Sequence, residues 1–113
     1  MDNTQLLKGV LPTAVLATIA RGHVYGYSIL RALRAAGFSD VGDASVYGTL
    51  QRLFSEGRVS AYMDQSERGP ARKCYSLTLD GEQMLRTGRE SWSRFEESVN
   101  TVVMGWKESG RDG

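Results

Sequence analysis

Apolar residues fall in helical stripes over most of the chain and alternate in one stretch after its middle. Leu11, Ala14, Val15 and Ile19 recur with helical spacing and predict a helix from about Leu11 to Ala20. Pro12 suits its first turn, where an N–H has no partner to lose, and Arg21-Gly22 ends it. Leu6 and Leu7 predict an earlier turn that packs elsewhere. A second helix is expected from about Tyr25 to Ala36, with Ile29, Leu30 and Leu33 inward, Arg31 and Arg34 off that stripe, and Gly37 as its stop. A third runs from an Asp43 N-cap to Gly57, with Val46, Leu50 and Leu53 on one face. Its opposite face (Ala44, Ser45, Gly48, Gln51, Arg52) is small and polar, and Tyr47 lies at the border. Val59, Ala61 and Met63 then alternate with polar neighbours, as do Tyr75 and Leu77, and Gly69-Pro70 between them reads as a turn.

The final pattern is a seam. After a Thr78 cap, Leu85, Gly88, Trp92, Phe95, Val99, Val102 and Trp106 are spaced alternately by three and four residues, predicting a helix from about Asp80 to Lys107. Such a helix is ~40 Å long at 1.5 Å per residue, more than the small preceding domain can cover. The seam therefore calls for a second chain, or at least a second surface, with Leu85, Trp92, Phe95, Val99, Val102 and Trp106 as its contacts. The expected fold is mostly α (α+β). A winged helix-turn-helix occupies residues 1–78, a dimerisation helix 79–108 and a disordered tail 109–113.

A polar-faced helix followed by a cationic hairpin suits duplex DNA, the helix entering a major groove and the turn reaching phosphates. Net charge is only +1, but residues 1–76 hold nine Lys and Arg against six Asp and Glu, while 77–113 hold five against seven. The local excess is at the turn: Arg68, Arg72 and Lys73 beside Glu67. On charge alone that turn reads as an ordinary solvated hairpin, and the preceding helix is what favours phosphate contact. Gln51 to adenine or Arg52 to guanine would each make a sensible bidentate contact, and the choice stays open.

The remaining chemistry is sparse. One cysteine, Cys74, excludes an intrachain disulfide framework and fits a reducing cytoplasm, and it reads as an inert small hydrophobe. His23 stands alone, and Asp40 and Asp43 read as loop and cap residues. No nucleophile–base set, phosphate-cradling loop or metal cluster can be assembled, so neither an enzyme nor a cofactor is expected. No apolar run is long enough to span a bilayer and the N-terminus lacks a basic segment, so no membrane or secretory signal is expected.

Several stretches together resemble the PadR family of bacterial transcriptional regulators: LLKGVLP at 6–12, YGYSIL at 25–30, SVYGTLQRLFSEGRV at 45–59 and GPARKCYSLTLDG at 69–81. ESWSRFEESV at 90–99 is similar to the short-tailed multidrug repressors of that family. The resemblance implies a homodimer that represses transcription from a pseudo-palindromic operator. It assigns recognition roles to Ser45, Tyr47, Gln51 and Arg52, and wing–phosphate roles to Arg68, Arg72 and Lys73. It also places Trp92 at a dimer-interface pore where planar apolar or cationic effectors stack. Gly88, Phe95 and Val99 are expected to line the same space; a purely packed dimer core at Trp92 is the plainer alternative. The chain departs from the family pattern at Gly48, where proline is frequent, and at Cys74, where an aromatic is usual. A winged helix used only for protein–protein contact is the rival reading.

Overall fold

The structure is a computed structural model that describes residues 3–65 and 69–108. Its elements are α1 (Asn3–Lys8), α2 (Leu11–Ala20), α3 (Gly26–Ala35), α4 (Asp43–Ser55), β1 (Val59–Asp64), β2 (Arg72–Leu77) and α5 (Leu79–Val103). This is the expected winged helix with a long C-terminal helix. The Leu6–Leu7 turn is a full short helix, from which Leu7 enters the core while Leu6 stays exposed.

α2 is the hub because it is apolar on nearly every side, the pattern of a helix surrounded by partners. Leu11, Val15, Leu16 and Ile19 are all buried, and the helix packs against α3, α4, α5 and β2. Ile29, Leu30 and Leu33 of α3 and Val46, Leu50 and Leu53 of α4 complete one continuous core.

The N-terminus of α4 differs from expectation. Gly42, not Asp43, is the N-cap, and no side chain caps the helix there. Asp43 instead occupies the first turn, where a carboxylate complements the helix dipole. Its Oδ1 is drawn to Arg34 Nη2 at 3.2 Å, and the same guanidinium donates to the Val41 carbonyl. Arg34 thus straps α3 to the loop that precedes α4.

The strands pair antiparallel in the register Val59↔Leu77 through Asp64↔Arg72. β2 begins at Arg72, two residues earlier than its alternation suggested. The alternation also fails at two points. Met63 is exposed because the wing has already passed the edge of the core. Cys74 and Tyr75 are both buried, because the α2–α3 connection adds a further pairing: Tyr25 bridges Cys74 antiparallel, and Tyr75 N–H donates to the Val24 carbonyl at 2.8 Å.

Thr78 joins the wing to α5. Its Oγ1 accepts from Gly81 N–H at 3.1 Å and donates to the Gly57 carbonyl at 2.6 Å, while its own N–H donates to the Arg58 carbonyl at 3.1 Å. Gly57 can turn the chain at that point because it adopts φ +75°, a conformation that glycine takes without strain. The first turn of α5 lies so close to this turn that a Cβ at Gly81 would stand 1.9 Å from the Arg58 carbonyl oxygen.

Beyond this joint α5 runs along α2 as far as Gly88, where a Cβ would meet Thr13 Oγ1 at 2.4 Å. Residues 89–103 then leave the body of the protein, which is why it measures 68 Å in its long direction and only 27 and 20 Å across. The helix ends at Val103 rather than near Lys107. Met104-Gly105 forms a turn there, glycine being a poor helix former, and Trp106 falls outside the helical seam. The expected disordered tail, 109–113, lies outside the described residues.

Gly81→Ala is expected to destabilise the protein by about 1–3 kcal/mol, because the added methyl meets backbone rather than a movable side chain. A urea midpoint matching that of the unaltered protein would contradict this close contact.

Candidate nucleic-acid interface

The exposed face of α4 follows from its buried one. With Val46, Thr49, Leu50 and Leu53 turned inward, Ala44, Gly48 and Gln51 point outward. Tyr47 borders them on the wing side. Its ring lies against the first turn of α3, where a Cβ at Gly26 would fall 2.5 Å from Tyr47 Cε1. A side chain at that position would require the Tyr47 ring to move.

The wing brings its cations to the same side, each lying over aromatic rings. The Arg72 guanidinium is 4.0 Å from the centre of the Tyr25 ring. Lys73 Nζ is 5.8 Å from the centres of both Phe54 and Tyr75. Such contacts hold a long cation in place without removing its charge. A cleft of about 490 Å³ results, bounded by Tyr47 and Gln51 of α4, Arg72 and Lys73 of β2, and Tyr25 and Tyr27 before and within α3. The Tyr25 hydroxyl donates to Asp64 Oδ2, and this bond is the main cause that holds its ionisation above the ordinary tyrosine range. Burial pushes the Tyr75 phenol in the same direction.

Four residues chosen from sequence, Tyr47, Gln51, Arg72 and Lys73, therefore meet in one cleft. Ser45 and Arg52 do not join them. Seven residues apart, they share a stripe on the other flank of α4, and Ser45 borders a separate cleft with Lys8 and Val41. Arg68 lies outside the described residues. Tyr25, Tyr27, Asp64 and Arg31, which lies 5.7 Å from the Tyr27 ring centre, were not singled out by sequence reasoning. The two tyrosines flanking Gly26 in the YGY run were the available signal.

A second cleft, of about 540 Å³, lies between α5 and the α1–α2 corner. Gly88, Trp92 and Phe95 form one wall, and Leu6, Val10 and Thr13 the other. The Trp92 and Phe95 ring centres are 5.9 Å apart. Val99 lies further along α5, and Leu85 packs against the core of its own subunit. The space beside Trp92 is thus lined by two elements of one chain. Gly88 contributes to it by letting α5 approach α2. Among the described residues no group of three or more His, Cys, Asp or Glu could hold a metal, and no helix is long and apolar enough to cross a membrane.

A three-helix core whose last helix exposes a small polar face, beside a two-stranded wing carrying cations, defines a winged helix-turn-helix protein. A profile of the Transcriptional regulator PadR-like family matches residues 15–87, well over half of the chain. The chain belongs to that family of transcriptional regulators, which are not enzymes. Among solved structures, a PadR-like transcriptional regulator from Bacillus cereus superposes with a TM-score of 0.81 at 34% identity, over 90% of this chain and 99% of that one. A Streptococcus transcriptional regulator does so with a TM-score of 0.77 at 35% identity, over 87% and 96% respectively. Bacillus subtilis PadR in complex with operator DNA gives 0.61 at 26% identity, over 69% of this chain and 46% of that longer one.

Gly48 has open space around its Cβ position, unlike Gly26, Gly81 and Gly88. Gly48→Ala is therefore expected to raise stability by about 0.5–1 kcal/mol, the usual gain from replacing glycine inside a helix. A fall in thermal midpoint would show that this face is packed rather than open.

Proposed function

We propose that this protein is a homodimeric repressor that binds a pseudo-palindromic operator and is released by a small planar apolar or cationic effector. The observation that carries the DNA reading is the meeting of Tyr47, Gln51, Arg72 and Lys73 in one cleft between α4 and the wing. Hydrogen-bonding groups on the helix are suited to base edges, while the two wing cations are suited to phosphates. The operator complex of the related Bacillus subtilis PadR supports the same partner for this chain. On the far flank of α4, Ser45 and Arg52 are assigned to the opposite side of the groove. Arg68 is assigned to the wing's phosphate contacts.

Dimerisation is supported by what α5 leaves uncovered. Trp92, Phe95, Val99 and Val102 are 45, 60, 39 and 76% exposed along a single stripe. A continuous apolar stripe of this kind marks an interaction face, and a second α5 is its natural complement. Trp106, beyond the helix, is then an end contact. Two α4 helices held by such a dimer would enter successive grooves about 34–36 Å apart, or a multiple of that distance.

The cleft beside Trp92 supports the effector reading. A flat cation can lie on the open face of the Trp92–Phe95 pair by stacking and cation–π attraction. Release requires only that the effector bind more tightly to a dimer whose α4 spacing does not match the operator. Thr78 provides the mechanical link, since it ties the start of α5 to the turn that ends α4.

In fluorescence anisotropy with a duplex from the chain's own upstream region, Gln51→Ala is expected to weaken binding by about 1–3 kcal/mol and relax sequence preference. Arg72→Ala should weaken binding to all duplexes alike and reduce the salt slope by about 1. Loss by Gln51→Ala on every sequence equally would remove it from base readout, and no binding by the unaltered protein would favour a protein-interaction role. The α5 assignment predicts a dimer in sedimentation equilibrium, dissociated by Val99→Asp. It also predicts quenching of tryptophan fluorescence by planar cationic dyes, lost in Trp92→Ala; full quenching in that variant would move the effector site elsewhere.

A further inference from the structure

Asp64 is electrostatically out of place. It ends β1 directly opposite Arg72, on the edge of the surface assigned above to a polyanion. A carboxylate there repels phosphate, and the obvious compensation is absent: among the described residues Arg34 and Asp43 form an ion pair, but Asp64 and Arg72 do not. Asp64 instead accepts the hydroxyl proton of Tyr25.

Tyr25 is the residue through which the wing meets the helical body. It is the N-cap of α3, with reciprocal bonds to Ser28, and its backbone bridges Cys74 on β2. Its side chain crosses to the far strand and ends on Asp64. One residue thus touches α3, β2 and β1, and the hydroxyl–carboxylate bond is its only side-chain hold on β1 among the described contacts. The Arg72 guanidinium lies over the same ring at 4.0 Å. A phenol that donates to a carboxylate has a more electron-rich ring, and such a ring holds a cation more firmly.

We propose that Asp64 is a positioning residue for DNA binding: through the Tyr25 hydroxyl it fixes the angle of the wing and the ring on which Arg72 rests. The inference depends on the DNA reading above. Asp64 works without touching DNA: its carboxylate keeps its charge, but is held on the phenol by the hydrogen bond. The proton stays on Tyr25 because ionisation would break the bond and set two negative charges side by side.

Three variants, Tyr25→Phe, Asp64→Ala and Asp64→Asn, test this when binding to the upstream duplex and to a random duplex is measured over a range of salt. Amide hydrogen exchange of the DNA-free protein is recorded alongside. Tyr25→Phe and Asp64→Ala are expected to weaken binding about fivefold, the equivalent of one net hydrogen bond. Both should reduce the salt slope by about 1 as Arg72 loses its phosphate. Both should also speed exchange at the Asp64–Arg72 end of the ladder. Asp64→Asn keeps an acceptor and should retain the slope and the slow exchange.

Tighter binding by both Asp64 variants with unchanged exchange would reduce Asp64 to a repelling charge and overturn the proposal. Loss in both Asp64 variants on the upstream duplex alone, with Tyr25→Phe unaffected, would make Asp64 a direct base contact and overturn it equally. If the unaltered protein binds and all three variants match it, the inference fails while the DNA reading stands. If the unaltered protein binds no duplex, both fail.

Discussion

The relative placement of α4, the wing and α5 depends on one hydroxyl group, that of Thr78. It accepts the Gly81 N–H in the first turn of α5 and donates to the carbonyl at the turn that ends α4. The backbone of the same residue closes the wing by donating to Arg58. Three elements with different tasks therefore share one hydrogen-bonded knot, and the close approach of Gly81 to the Arg58 carbonyl leaves the knot little freedom to slide. A rotation of α5 about this point has to be felt at the end of α4 and at the root of the wing. That is the property the proposed effector release requires, and it arises from a cap and a glycine rather than from any specialised domain.

Much of the fold was legible because its core follows simple periodicity. The stripes of α2, α3 and α4 and the glycines that end them are all visible as residue spacing. What escaped was decided by partners distant in sequence. Asp43 has the composition of a cap, but Arg34, nine residues earlier, claims its carboxylate. Cys74 sits at a polar position of the strand alternation, but the α2–α3 connection covers it. Met63 sits at an apolar position, but the core ends before reaching it. The seam of α5 was readable only up to the glycine-weakened end that leaves Trp106 outside it.

The candidate cleft between α4 and the wing was legible in part, and for the same reason. Residue type and helical spacing marked Gln51 and Tyr47, and charge marked Arg72 and Lys73. Neither measure separates the two flanks of α4, so Ser45 and Arg52 were grouped with residues they do not meet. Tyr25 and Asp64 were invisible because their meaning is a contact across 39 positions of sequence. The cations of the wing show how local chemistry and tertiary structure combine: each lies over an aromatic ring supplied by another part of the chain or by a neighbour on its own strand.

Residues 89–103 of α5 touch little of their own subunit, whereas the ten residues before them are wedged against α2 and the wing. Selection on foldability therefore acts on the two stretches unequally. The outer fifteen positions, about 22 Å of helix at 1.5 Å per residue, are exposed, so substitutions there leave the packing of the winged body unchanged. The pairing and effector binding proposed for that stretch could therefore be altered by a few substitutions without disturbing the packing of the winged body.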